Sequence, residues 1–447
     1  MPVSRNRKKS RKPKAVARAT PPMTRSGFDN RSQPEFANVW TGVGSLRRHV
    51  DERPGRAAAA AKALVAELIT SAPERLDREL EDELCVRCGT HLWEWAEGPL
   101  AERVGPNLFA EAIITAAAAA VHAALRKLST KPDGWQAPWR VLGVTASIVP
   151  YPLSADAAAA IEHLRAVGGG QVLPMTPEGP SVAGPVLWTR DAYGSRFGIV
   201  AAFSSVPGES DRWYLWDIDA CGYRPFTVHS AYYATPEQAL AVWQAGVGEL
   251  AAADTSFTPV DDPGLLIDLW PTEQGFFRPG GENTSQFAEY HRGMRLAEAA
   301  SEAVEPLNLS ERSPDLDAAT AATQFTAWLR EHRPGQPQPS DPDNLDNLDN
   351  LVTELADSWQ INCPAALYPT CSPHRVALTV PHLRNFYLDD FADQLIALLP
   401  DWIRWLADRN DTSAELTERC QRYALGKPHA DVGTDNGGPN YLARVTE

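Results

Sequence analysis

Apolar and polar positions change rhythm twice along the chain. From 54 to 168 apolar residues recur at intervals of three and four, the spacing of amphipathic helices. "PGRAAAAAKALVAELITSA" (54–72) is rich in strong helix formers. "SAPERLDRELEDELCVRCGTHLWEWAEG" (71–98) follows, and then an alanine-rich helix that opens at Pro106. "SADAAAAIEHLRAVGGG" (154–170) ends this stretch, with Ser154 as N-cap and Gly168 as C-cap.

After Gly170 the period shortens to two. "PVLWTR", "RFGIVAAF", "RWYLWDID" and "FTVHSA" read as strands. The segments between them, "DAYGS", "SSVPGESD" and "CGYRP", carry turn chemistry and are short enough for hairpins. An antiparallel meander is therefore expected. In "TPEQALAVWQAGVG" Thr235 is an N-cap, Pro236 a first-turn proline and Gln238 a capping-box partner. Leu240, Trp243 and Val247 mark the face that packs on the sheet. Residues 183–250 thus predict a four-stranded sheet covered by a helix, with "GLLIDLW" (264–270) as a fifth strand. A helix from about 285 to 305 closes this part.

"EHRPGQPQPSDPD" (331–343) is a linker by composition. "DNLDNLDNL" (343–351) repeats a triplet that fits neither helix nor strand, and it leads into the helix "LVTELADSW". "RNFYLDDFADQLIALLPDWIRWLADRN" (384–410) is amphipathic, with Pro400 splitting or kinking it. "AELTERCQRYA" (414–424) is a further helix, and the last twenty residues look irregular. The class is α+β: a helical N-terminal region, a central antiparallel sheet packed with helices, and a helical C-terminal domain. The expected division is 1–35 tail, 36–170 helical, 171–310 sheet with helix, 311–343 helix and Pro-rich linker, and 344–447 helical.

Charge changes the picture at one end. Arg5, Arg7, Lys8, Lys9, Arg11, Lys12, Lys14 and Arg18 give the first eighteen residues +8 with no acid. The whole chain carries −15, so residues 19–447 carry −23. Residues 1–35 have little to bury and are expected to be disordered. Clustered Lys and Arg attract phosphate polyanions, which makes these eight residues candidate nucleic-acid contacts. The ordinary alternative is a solubilising end.

A chain of 447 residues is long for one core and suggests two or three domains. Six unevenly spaced cysteines do not form a secreted disulfide framework. No apolar core follows the basic start as it would in a signal peptide. The most apolar run, "LFAEAIITAAAAAVHAAL" (108–125), contains Glu111 and His122 and reads as a helix buried in a domain. A cytoplasmic protein is expected, and the arginine and alanine bias points to a GC-rich, actinobacterial-type genome.

Two stretches carry candidate chemistry. "LCVRCGTHLWEW" (84–95) spaces Cys85, Cys88 and His91 by three. On a helix both cysteines fall on the apolar stripe with Leu80, Leu84, Leu92 and Trp95, so a buried helix accounts for them. Zinc needs four converging ligands, and three residues at this spacing drift around the helix. Cys363, Cys371 and His374 would have to supply the rest from afar. In "RWYLWDID" a strand puts Trp213, Leu215, Asp217 and Asp219 on one face, with Arg212, Tyr214, Trp216 and Ile218 on the other. Asp217 and Asp219, joined by Asp191, could hold Mg²⁺ or Mn²⁺ as catalytic carboxylates. The ordinary alternative is strand-end aspartates facing water. Trp188, Tyr214, Trp216, Tyr232 and Tyr233 could stack bases or form the core beneath the helix.

The chain has no GxxxxGK[ST] phosphate loop, no HExxH and no GxSxG. No metal or cofactor is expected. The leading expectation is a non-enzymatic interaction or regulatory protein, with a protein partner and a nucleic-acid-binding tail and no membrane. The alternative is a metal-dependent hydrolase or nuclease using Asp217 and Asp219.

Overall fold

A computed structural model describes residues 44–99, 102–168, 173–174, 179–204, 211–221, 225–270, 283–304, 316–333, 342–360 and 364–426. The basic tail, Cys363, most of the proline-rich linker and the last twenty residues lie outside them.

The fold is α+β: the described residues form thirteen helices and a six-stranded antiparallel sheet. The N-terminal helices are α1 (Gly44–Ser71), α2 (Asp77–Glu97), α3 (Pro106–Leu125), α4 (Gln136–Ile148) and α5 (Leu153–Gly168). The helix expected from Pro54 runs back to Gly44, and α5 begins at Leu153, which leaves Ser154 inside the first turn instead of capping it. Leu64, Leu68, Leu80, Leu84, Leu92, Phe109, Ile113, Val121, Leu142 and Ile161 form one continuous core among these helices. Cys85 and Cys88 sit within it, as the apolar stripe requires. Helix α3 is long and apolar enough to cross a membrane by length and composition, but its Phe109, Ile113, Ala117 and Val121 face is spent on this core.

The strands are β1 (Ser181–Val182), β2 (Leu187–Arg190), β3 (Arg196–Ser204), β4 (Arg212–Asp219), β5 (Phe226–Tyr233) and β6 (Thr258–Pro259). The order is β5-β4-β3-β2-β6, with β1 also paired to β3, and every pairing is antiparallel. The meander was legible; the short β1 and β6 were not. Alternation sorts β4 as expected. Val200 and Leu215 pack under Ala239 and Trp243 of α6 (Pro236–Val247), while Ile199, Tyr214, Trp216 and Ile218 face the other way. Helix α6 starts at its expected cap, where Thr235 Oγ1 accepts from Gln238 N at 3.3 Å. Gly198 lets Trp243 pack closely on the sheet, since a Cβ there would stand 3.0 Å from the indole ring.

The second face is covered by α7 (Pro263–Leu269) and α8 (Thr284–Ala303). Helix α7 replaces the strand expected in "GLLIDLW". Asp262 accepts from Leu265 N at 3.0 Å and Pro263 opens the first turn, so the apolar run starts from a helix cap. Leu265, Leu266 and Leu269 then share one side, which buries on the sheet.

The C-terminal helices are α9 (Ala318–His332), α10 (Pro342–Gln360), α11 (Pro373–Phe386), α12 (Asp389–Arg409) and α13 (Ala414–Ala424). Two expectations need correction. The leucine triplets lie in α10 itself, where Leu348 and Leu351 lead onto the stripe of Val352 and Leu355. Pro400 does not split α12, which continues through it, and the break within 384–410 falls at Tyr387 and Leu388. Phe325, Leu355, Trp359, Tyr368, Leu395, Leu399, Trp402 and Leu406 centre this third core.

Candidate functional site

The sheet meets the C-terminal helices at the ends of β3 and β4, and the three sequence-selected aspartates all lie there. None faces water: Asp217 is 2% exposed, Asp219 5% and Asp191 7%. The register explains the grouping. Arg196 pairs with Asp219 across the ladder, and Gly198 pairs with Asp217, so the Arg196 side chain reaches diagonally to Asp217. Its Nε donates to Asp217 Oδ1 at 2.8 Å and its Nη2 to Oδ2 at 2.6 Å, a two-pronged ion pair. The remaining prong, Nη1, donates to the Gly246 carbonyl at 2.9 Å and ties α6 to the sheet.

Asp191 opens the β2–β3 hairpin. Its Oδ1 accepts from the backbone nitrogens of Ser195 at 2.8 Å and Arg196 at 3.0 Å. Burial dominates these bonds and pushes its pKa up to about 6. Asp219 has the opposite balance. Burial alone would raise its pKa, but hydrogen bonds from His374 and Cys221 and the charge of His374 hold it at about 2. His374 Nδ1 lies 2.6 Å from Asp219 Oδ2, and Cys221 N donates to Oδ1 at 2.8 Å.

His374 comes from the first turn of α11. Ser372 caps that helix by accepting from Arg375 N at 3.2 Å, and its Oγ also lies 2.9 Å from Cys221 Sγ. The Asp219–His374 pair fixes the imidazole so that Nδ1 faces the carboxylate, the arrangement that leaves Nε2 as the reactive nitrogen of a general base. Arg375 is wholly buried and donates to the carbonyls of Trp359, Leu367, Tyr368 and Thr370, which fixes the segment that presents His374.

A second polar cluster joins the sheet to the N-terminal helices. Arg292 of α8 donates through Nε to Glu289 Oε2 at 2.8 Å and through Nη1 to Glu81 Oε1 at 3.2 Å, and it also pairs with Asp82. Glu289 Oε2 accepts from Tyr214 at 2.8 Å. Arg212 lies 3.9 Å over the Tyr232 ring and 3.8 Å from Asp82. Burial raises the Glu81 carboxyl above its ordinary range, although Arg292 and Arg212 oppose the shift.

The remaining sequence candidates fall into place around these clusters. The Cys85 and Cys88 thiols are pushed up by burial, Cys88 to about 12. His91 is not aimed at either; it stacks with Trp95 and meets Phe109 edge-on, each at 5.7 Å. Among the described residues no group of three His, Cys, Asp or Glu side chains is placed to hold a metal ion. Tyr214 and Trp216 are fully buried, with Trp216 edge-on to Trp270 at 4.9 Å, so both serve as core beneath helices. Tyr233 instead bonds His229 at 2.7 Å. Sequence reasoning missed Arg196, Cys221, Ser372, Glu289 and Arg292. The one available signal was "SPHR" (372–375), a cap and first-turn proline that present a histidine.

No protein-family model, no curated protein and no solved structure matches the chain significantly.

Proposed function

We propose that the chain is a non-enzymatic interaction protein, held near nucleic acid by its first eighteen residues. The observation that carries this reading is the segregation of charge: +8 in residues 1–18 against −23 in the remainder. An acidic body repels DNA and RNA, so affinity must come from the tail. The sheet's polar groups support a structural assignment for the aspartates. Asp217 is neutralised by Arg196, Asp191 is spent on backbone nitrogens, and Asp219 is held by His374 and Cys221. The hydrolase alternative would require a cation to displace Arg196 from Asp217 and His374 from Asp219. The five described cysteines are free thiols, which fits a reducing compartment such as the cytoplasm.

The test is titration of labelled duplex DNA and single-stranded RNA with the full chain and with residues 19–447, at two salt concentrations. Full-length protein should bind both without sequence preference. The slope of log affinity against log salt should be no steeper than about −0.9 per phosphate contact on duplex DNA. The truncated chain should not bind. Equal binding by both proteins would move the site into the folded body, and failure of either to bind at low salt would end the nucleic-acid reading.

A further inference from the structure

The C-terminal junction also brings two thiols together. Cys371 immediately precedes the α11 cap Ser372, and Cys420 lies in α13, 49 positions further on. The Cys420 thiol donates to the Cys371 carbonyl oxygen at 3.7 Å, and both side chains pack in the same C-terminal core. Their exposure is unequal: Cys420 is buried and Cys371 is half-exposed. The surroundings are fixed. Gln421, next to Cys420, donates to the Pro400 carbonyl of α12 at 3.0 Å, and Cys371 is followed by Ser372, whose Oγ meets both Cys221 and Arg375 N.

We infer that Cys371 and Cys420 are a reversible oxidation site, forming an intramolecular disulfide when the chain meets a hydroperoxide. The inference stands apart from nucleic-acid binding. Cys371, the thiol that solvent reaches, attacks one peroxide oxygen as its thiolate. The O–O bond breaks, hydroxide leaves with a proton to become water, and Cys371 becomes a sulfenic acid. Cys420 then attacks that sulfur. The S–S bond forms, the S–O bond breaks, and the departing hydroxide takes the Cys420 proton as a second water. Two thiols lose two electrons and two protons, and one hydrogen peroxide becomes two waters. Burial shields the Cys420 thiol from peroxide and raises its pKa, so Cys371 is the thiol oxidised first. The cross-link ties α13 to the residue before Ser372 and so staples the segment that carries His374 to its neighbours.

The experiment uses the full chain with hydrogen peroxide, followed by thiol counting in denaturant and by peptide mapping without reduction. Two of the six thiols should disappear, and the Cys371 peptide should be linked to the Cys420 peptide within one chain, reversibly with dithiothreitol. In Cys420→Ser the reaction should stop at a Cys371 sulfenic acid, trapped by dimedone. In Cys371→Ser, a substitution at the half-exposed position that leaves the core intact, Cys420 should stay reduced. Cys371 overoxidised to the sulfinic acid beside an intact Cys420 thiol would overturn the inference. So would a link from Cys371 to Cys363 or to a second chain, or unreacted thiols at both positions.

Discussion

Two buried polar junctions tie the same sheet to two helical layers, and they are built from different chemistry. The N-terminal junction sets Arg292 and Arg212 against Glu81, Asp82 and Glu289, with Tyr232 under both guanidinium groups. Its cations keep their charge at any ordinary pH. The C-terminal junction joins Asp219 to His374, and Cys221 to Ser372, with Cys371 and Cys420 alongside. One junction is therefore permanently charged, and the other rests on a single carboxylate–imidazole pair with neighbouring thiols. Conformational adjustment should concentrate where the sheet meets α11, not where it meets α2 and α8.

The largest effect should come from breaking the permanent junction. Arg292 is 6% exposed and faces three carboxylates. Arg292→Ala leaves Glu289 buried without its cation and should cost about 3–5 kcal/mol of stability. Urea unfolding with an unchanged slope would measure it. A loss below about 1 kcal/mol would mean that this cluster does not hold the layers together.

The next effect tests the close contact behind that cluster. Gly89 of α2 lies against α8 so tightly that a Cβ would stand 2.6 Å from Ala288 N and Thr284 O. Those atoms are backbone and cannot turn aside, so Gly89→Ala must push the helices apart. The expected loss is about 1–3 kcal/mol, read from the same unfolding curves. A neutral substitution would show that α8 sits further from α2.

Acid sensitivity separates the junctions further. The folded pKa of Asp191 is raised to about 6, so burial disfavours its charged form. Below its unfolded pKa the folded state keeps a neutral carboxyl without penalty. As pH rises toward 6 that advantage is lost, by up to about 3 kcal/mol. Asp191→Asn keeps an oxygen for Ser195 N and Arg196 N but cannot ionise. Its stability relative to the parent should therefore increase between pH 4 and pH 6 and then level off. A difference that stays flat with pH would mean that Asp191 is ionised in the folded chain throughout this range.

Much of the fold was legible because its signals were local. Period-two alternation marked β2 to β5, and the Thr235–Gln238 cap placed α6. The stripe through Leu84 and Cys88 identified a core helix. The errors came where a short apolar run had no period of its own. The apolar run 264–270 suggests a strand by itself, but the Asp262–Pro263 cap in front of it starts a helix. Pro400 does not end α12 because Leu399, Trp402 and Leu406 hold that helix on its buried side. The site was half legible. Strand spacing puts Asp217 and Asp219 near one another and Asp191 joins them from the β2–β3 hairpin, yet each is held by different partners. Their partners come from β3 and α11, and no periodicity links residue 219 to residue 374. The pairing of Arg292 with Glu81 is hidden in the same way by more than two hundred intervening residues.

The smallest effect isolates the Asp219–His374 link. Asp219 has its folded pKa lowered to about 2 by His374 and Cys221, against the pull of burial. A lowered carboxylate stabilises the fold above its unfolded pKa, and that stability is lost as pH falls through the folded value. The window therefore lies between pH 4 and pH 2. The His374 side chain is 22% exposed, so water screens part of the attraction and the link should be worth about 1–2 kcal/mol. In His374→Ala the carboxylate keeps only the Cys221 nitrogen, and the acid-induced loss of stability should begin at higher pH and be smaller. In His374→Asn an amide donor stands near the position of Nδ1 without its charge, so part of the neutral-pH stability should return while the steep loss below pH 4 does not. Measuring unfolding free energy for the three proteins from pH 7 to pH 2 separates the charge from the hydrogen bond. If the alanine variant follows the parent curve over the whole range, His374 contributes nothing to holding α11 on the sheet, and the C-terminal junction must rest on Arg375 and its carbonyl cage instead.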